Sequence, residues 1–173
     1  QPCSSAASDV YKRQEQHSFL QQVMFPDYIN TKQRLYLNAS DYAFLYEWMS
    51  KLPRESIFPS YSDRNKYFDG YCKFFMFGDT NEKIPKNIRI YNKVGMAYGF
   101  LIDNAYIIDT DNNIEFFLTA SVYSNNNETL NDDRYEYDEI TLPFMAELGT
   151  QIYKYELSRK KGIAPDFSRF IQQ

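Results

Sequence analysis

The chain has 173 residues and a mass of 20.6 kDa, which suits one domain of ordinary size. It is 43% hydrophobic and 18% aromatic with only 6 Gly and 7 Pro, which excludes a disordered or low-complexity chain. Its formal charge is −4, from 19 basic against 23 acidic residues, so there is no positive field for a phosphate backbone and nucleic-acid binding is not expected.

Residues 1–14, QPCSSAASDVYKRQ, carry no amphipathic period and stand apart from the rest of the chain. The string SSAASDVYKRQ resembles translated sequencing-adapter read-through. Residues 1–14 are therefore expected to be a non-native or disordered tail, and the native chain to have been cut at an arbitrary point. Residues 16–25 place Phe19, Leu20, Val23 and Met24 on one stripe, a short helix ended by Pro26. Asn38-Ala-Ser40-Asp41 supplies N-cap chemistry for a second helix with Leu45, Trp48, Met49 and Leu52 at helical spacing, stopped by Pro53. Residues 53–70 read as a long ordered loop. The apolar run 71–77 (YCKFFMF) fits either a helix or a strand, and Gly78–Asn81 turns the chain.

Three strand-like runs come next. Ile88–Tyr91 leads into Asn92–Gly95, Tyr98–Asp109 is the second run, and Ile114–Tyr123 the third, with polar turns at 109–113 and 124–127. Short links favour an antiparallel meander. A last helix is expected over 142–159, with Phe144, Leu148, Ile152 and Tyr155 on its apolar face, closed by Lys160, Lys161 and Gly162. The fold class expected is α+β: a three-stranded antiparallel sheet packed with a C-terminal helix and preceding helices.

Candidate chemistry is narrow. Cys3, Cys72 and His17 are too few for a Cys/His metal site, and they leave almost no base for a Ser-His-Asp or Cys-His mechanism. No metal or cofactor is expected, and Cys72 reads as a free, buried small hydrophobe. No apolar run approaches the ~18 residues of a membrane span. One combination stands out: Lys93-Val94-Gly95 at a strand end, then Tyr98-Gly99, then Asp103-Asn104-Ala105.

That combination resembles the third active-site motif, Lys-Thr/Ser-Gly, of serine β-lactamases and penicillin-binding proteins. LPRES (52–56), DGYCKFFMFGD (69–79), NIRIYNKVG (87–95), AYGFLIDNAYIID (97–109) and NDDRYEYDEI (131–140) resemble a Bacteroidetes-type branch of β-lactamase-like serine hydrolases. The resemblance covers about residues 18–170. It implies that 15–173 is the C-terminal portion of a single β-lactamase-like domain, a partial β-lactamase/transpeptidase-like fold. It also implies a small-molecule or peptide acyl substrate in the parent and an extracytoplasmic location.

By that resemblance the catalytic candidates are Lys93 (electrostatic), Gly95 (access without a Cβ) and Met96, whose backbone N–H would be one oxyanion donor. Val94 and Tyr98 are the substrate-binding candidates. Asp103 is expected either to cap a strand bend or to support the catalytic groups. Val94 departs from the usual Thr or Ser; a hydroxyl bond to a carboxylate is worth roughly 1.5–3 kcal/mol, so a different substrate is expected. The nucleophile is missing: no Ser-x-x-Lys and no Ser-x-Asn lies between Glu15 and Lys93. The literal matches at Ser158–Lys161 and Ser124–Asn126 fall after the motif and read as a helix end and a turn. A non-catalytic, envelope-associated binding module is the alternative.

The remaining clusters read as structure. Asp132, Asp133, Glu136, Asp138 and Glu139 lack the spacing of a calcium loop and read as a solvated charge run. Tyr67, Phe68, Tyr71, Phe74, Phe75 and Phe77 read as a packed aromatic layer. In the resembling fold the sheet has five strands, two of them from the N-terminal end. The strand 114–123 is thus expected to be an edge, with its apolar face (Ile114, Phe116, Leu118, Ala120, Val122) against the last helix and a tendency to self-associate.

Overall fold

A computed structural model of the chain describes residues 13–171. Helix α1 spans Arg13–Met24, so Arg13 and Gln14 belong to the helix and not to the tail; the rest of the expected tail, residues 1–12, lies outside the described residues. Pro26 ends α1 by opening a 3₁₀ turn, Pro26–Tyr28. Helix α2 spans Ala39–Ser50 and starts with a capping box: Asn38 accepts from the Ser40 and Asp41 N–H groups while Asp41 reaches back to the Asn38 N–H. The stretch from 53 to 72 is irregular apart from 3₁₀ turns at Pro53–Glu55 and Asp69–Cys72. The ambiguous apolar run contains one short helical turn, Phe74–Phe77, broken by extended Phe75 and left-handed Met76.

Strands β1 (Ile88–Ala97), β2 (Phe100–Asp109) and β3 (Ile114–Tyr123) form an antiparallel meander in the order β1-β2-β3. Helix α3 (Leu142–Ser158) follows a wide turn at Tyr137–Thr141. The fold is α+β, a three-stranded sheet packed between helices. One boundary differs from expectation: Tyr98 and Gly99 are not in β2 but form the two-residue β1–β2 turn, with φ +52° and +86°. Positive φ at both central residues matches the right-handed twist of a tight hairpin, and glycine accepts it without strain.

The register divides every side chain between two faces. On one lie Ile88, Ile90, Asn92 and Val94 of β1, Leu101, Asp103, Ala105 and Ile107 of β2, and Phe116, Leu118, Ala120 and Val122 of β3. This face packs with Phe74, Phe75 and Met145, so the apolar side of β3 does meet the terminal helix. On the other face Tyr91, Tyr106, Ile108 and Phe117 pack with Leu20, Val23 and Met24 of α1 and with Phe170. Tyr106 is 1% exposed and rings from Phe25, Tyr91, Phe117 and Phe170 surround it. Complete burial of one such side chain stabilises by about 1.5–3 kcal/mol, so these rings hold α1 and the C-terminal segment to the sheet.

Three helix faces differ from expectation, the first on α2, where Trp48 is exposed and Leu52 lies past the helix end. On α1, Phe19 is half-exposed while Leu20, Val23 and Met24 are buried. On α3, Phe144 and Tyr155 are exposed and the buried face is Met145, Ala146, Gly149 and Glu156. A Cβ on Gly149 would come within 2.7 Å of the Met76 amide nitrogen, so the small residues are where α3 approaches the 74–77 turn.

Candidate functional site

The hydrogen-bond parity of the sheet fixes what each backbone group at the motif faces. Thr110 N–H donates to Asn87 O at 3.0 Å, so the pairs 87–110, 89–108, 91–106, 93–104, 95–102 and 97–100 exchange bonds. The alternate residues Ile88, Ile90, Asn92, Val94 and Met96 turn their N–H and C=O groups outward, away from β2. Met96 N–H therefore points to the outer edge of β1, where an oxyanion donor would have to be. Lys93 and Gly95 carry the other parity: their backbone groups bond to β2, and their side positions share the α1 face of the sheet.

Lys93 is exposed, and its ammonium donates to Val94 O at 2.6 Å, folding back on the same edge. Val94 is half-buried and packs against the core cluster of Ile90, Ala105 and Phe74. Val94 is thus held by core packing. At Gly95 a Cβ would meet Ile102 Cγ2 at 2.9 Å, so glycine lets the neighbouring strand sit close. Tyr98 stands apart from these four in the exposed turn. Its neighbour Gly99 donates its N–H to Tyr137 Oη at 2.8 Å and accepts from Ser124 N–H at 2.9 Å, which ties the hairpin tip to the 124–137 loop.

Behind this edge lies a buried polar hub outside the motif. Lys73 is 2% exposed and donates from Nζ to Met49 O and to Asn92 Oδ1, both at 2.6 Å. Asn92 Nδ2 donates to Cys72 O at 2.9 Å and to both Asp103 carboxylate oxygens at 2.9 and 3.1 Å. Asp103, wholly buried, also accepts the Phe74 N–H at 3.1 Å. One amide thus bridges an ammonium and a carboxylate, and together they clamp the end of α2 and the 72–74 segment to β1 and β2. Burial pulls Lys73 down to about 8 and pushes Asp103 up to about 7. A second pair, half-buried Arg54 with buried Asp69, joins the LPRES and DGYCKFFMFGD segments; Asp69 also accepts Ile84 N–H at 2.8 Å. Asp103 is therefore a member of this network within β2. Motif spacing gives Lys73 no role; the available signal is its position as the one charge inside an apolar run.

Two grooves among the described residues lie at the other end of β1. One, of about 780 Å³, runs along α2 past Tyr46, Lys51, Arg89 and Phe170; the other, of about 530 Å³, is bordered by Arg54, Lys83, Ile84 and Lys86. They share Glu55, Lys86 and Arg89, and Arg89 Nη1 donates to both Glu55 oxygens at 2.9 and 3.0 Å. Neither is lined by Lys93, Val94, Gly95, Met96 or Tyr98.

The literal Ser-x-Asn and Ser-x-x-Lys matches are engaged in local structure. Ser124 Oγ donates to Glu136 Oε2 at 2.7 Å, and Asn125 is buried behind the same loop. Ser158 Oγ donates to Tyr155 O at 2.8 Å at the end of α3. Of the acidic run, Glu136 braces the 124–126 turn, and no group of three or more His, Cys, Asp or Glu suited to a metal occurs among the described residues. Cys72 is a free thiol, half-buried, its pKa raised by burial. In the aromatic run Phe74 and Phe75 are buried, whereas Tyr71 is half-exposed. No described helix is long and apolar enough to cross a membrane.

Comparison with protein-family models, with curated proteins and with solved structures finds no match to this chain.

Proposed function

We propose that this chain is the C-terminal portion of a serine hydrolase domain of the β-lactamase/penicillin-binding type, working through an acyl-enzyme in a parent that supplies the nucleophile. The observation that carries the reading is the outer edge of β1, where the Met96 N–H points outward beside a side-chain-free Gly95 and the Lys93 cation. In the reaction, a serine from upstream would attack an acyl carbonyl. The Met96 N–H would donate to the oxyanion, an interaction worth about 2.7–4 kcal/mol where such donors have been removed. Lys93 would leave the Val94 carbonyl to stabilise the developing charge. With Val94 packed in the core, the substrate is an acyl compound that needs no hydroxyl partner for a carboxylate at that position.

One observation favours a non-catalytic binding module instead: Lys93 is already satisfied by Val94 O in a chain without Ser-x-x-Lys before it. One experiment separates the two. The chain of 173 residues should stay unlabelled by a fluorescent penicillin or a serine-reactive phosphonate. The reading frame extended upstream through a Ser-x-x-Lys segment should form a one-to-one adduct, about 100–1,000 times more slowly when Lys93→Ala is introduced. An extended frame that holds no such serine, or a rate unmoved by Lys93→Ala, would overturn the catalytic proposal.

A further inference from the structure

The outer edge of β3 shows the same parity logic with a different outcome. Ser124 N–H donates to Gly99 O at 2.9 Å, so 99–124, 101–122, 103–120, 105–118, 107–116 and 109–114 are the bonded pairs. Glu115, Phe117, Thr119, Ser121 and Tyr123 therefore turn their N–H and C=O groups outward. Among the described residues no group donates to or accepts from them. The edge is ten residues long, rich in β-formers, and contains neither Lys nor Pro to block pairing.

We infer that β3 is a docking edge for β3 of a second copy of this chain, paired antiparallel about a two-fold axis midway between the two copies' Thr119. Three features select a copy of the chain as the occupant. The five outward residues are spaced symmetrically around Thr119, so pairing 119 with 119, 117 with 121 and 115 with 123 satisfies every outward group, about ten N–H···O bonds. The same register sets Glu115 opposite Tyr123, so the only edge charge meets no like charge. Helix α1 also fits. It straddles β2 and β3, with Asn104 Nδ2 donating to Gln16 O at 2.8 Å and His17 Nδ1 lying 2.8 Å from Thr119 Oγ1. With strands about 4.8 Å apart, the two α1 helices would lie about 9–10 Å apart across the axis, which is ordinary helix-packing distance. The contact is isologous and closes at two copies. The inference concerns the chain of 173 residues and competes with the catalytic reading for this edge, because the parent proposed above would set an upstream strand against β3.

The test uses proline as a parity probe. Ser121→Pro removes an N–H that the isolated chain leaves unused, whereas Ala120→Pro removes one that holds β3 to β2. Sedimentation of the unchanged chain at tens of micromolar should give twice the monomer mass. Ser121→Pro should sediment as a folded monomer, and Ala120→Pro should lose the native circular dichroism. Hydrogen exchange should protect the amides of 115, 117, 119, 121 and 123 at high concentration and release them on dilution. A monomer at every concentration, a dimer unchanged by Ser121→Pro, or concentration-independent protection of those five amides would each overturn the proposal. So would growth past the dimer, because a two-fold pairing leaves no second β3 edge.

Discussion

Along β1 two of the outward backbone groups find partners in the chain itself, Ile88 N–H donating to Pro85 O at 3.1 Å and Val94 O accepting the Lys93 ammonium, and α2 with the Lys73–Asn92 side-chain pair packs beside the middle of the strand. Along β3 the outward backbone of five alternate residues meets nothing among the described residues. The side chains follow the same division, since β1 is buried over Ile90–Asn92 whereas β3 is half-buried from Glu115 to Val122. A strand edge needs charge, side-chain cover or a partner. β1 has the first two, which leaves β3 the side open to a partner.

The comparison breaks most readily at Asp103. Asp103→Ala leaves one N–H of the Asn92 amide and the Phe74 N–H without their acceptor in a dry site, and takes from Lys73 a nearby negative charge. Removing one partner of a buried charged network costs about 3–5 kcal/mol, and chemical denaturation at neutral pH should read a loss of that order. A loss below about 1 kcal/mol would mean that the hub does not hold β1 shut.

The next effect is the pH dependence of the same hub. Asp103 is pushed up to about 7 by burial, from an ordinary 3.8, so between about pH 4 and 7 the native carboxyl keeps a proton that the unfolded chain releases. Its contribution to stability is full below pH 4 and should be lost as pH rises through 7. Lys73 is pulled down to about 8 from 10.5, so its contribution is present above about 10.5 and lost as pH falls through 8. Unfolding free energy measured from pH 4 to 10.5, relative to Asp103→Asn, should fall toward neutrality. A difference that stays flat between pH 4 and 7 would refute the assignment.

The smallest effect belongs to the exposed member of the edge. Lys93→Ala should change stability by no more than about 0.5 kcal/mol, because the ammonium it removes is solvated. A thermal midpoint that drops by many degrees would show Lys93 to be structural, and its role in the proposed chemistry would lose its basis.

The legible parts of the sequence are those in which a side chain's type reports its surroundings. Alternation in IEFFLTASVY marks β3 at its observed ends, Asn38 and Asp41 mark the start of α2, and Pro26 marks the end of α1. The illegible parts are those in which the type misleads. Phe144 and Tyr155 read as core on α3, yet the contact runs through Ala146 and Gly149, because close approach to the 74–77 turn selects small residues over greasy ones. The candidates Lys93, Gly95 and Met96 come only through the resemblance to the Lys-Thr/Ser-Gly motif. The hub could not be found, since Lys73, Asn92 and Asp103 are far apart in sequence and polar residues read as surface until the sheet register brings them together.

Trp48, the chain's single tryptophan, stands one residue before the carbonyl that receives the Lys73 ammonium. It is half-exposed, and the Lys51 ammonium sits 4.2 Å from its ring centroid. Its emission is therefore a built-in optical reporter of the end of α2. Any event that loosens the Lys73 anchor, whether a proton lost, a hub variant or a ligand drawn to the β1 edge, reaches that indole through one peptide bond. The chain can thus be followed by intrinsic fluorescence without an added dye, against a background of 16 tyrosines that excitation at the red edge of the absorption band leaves dark.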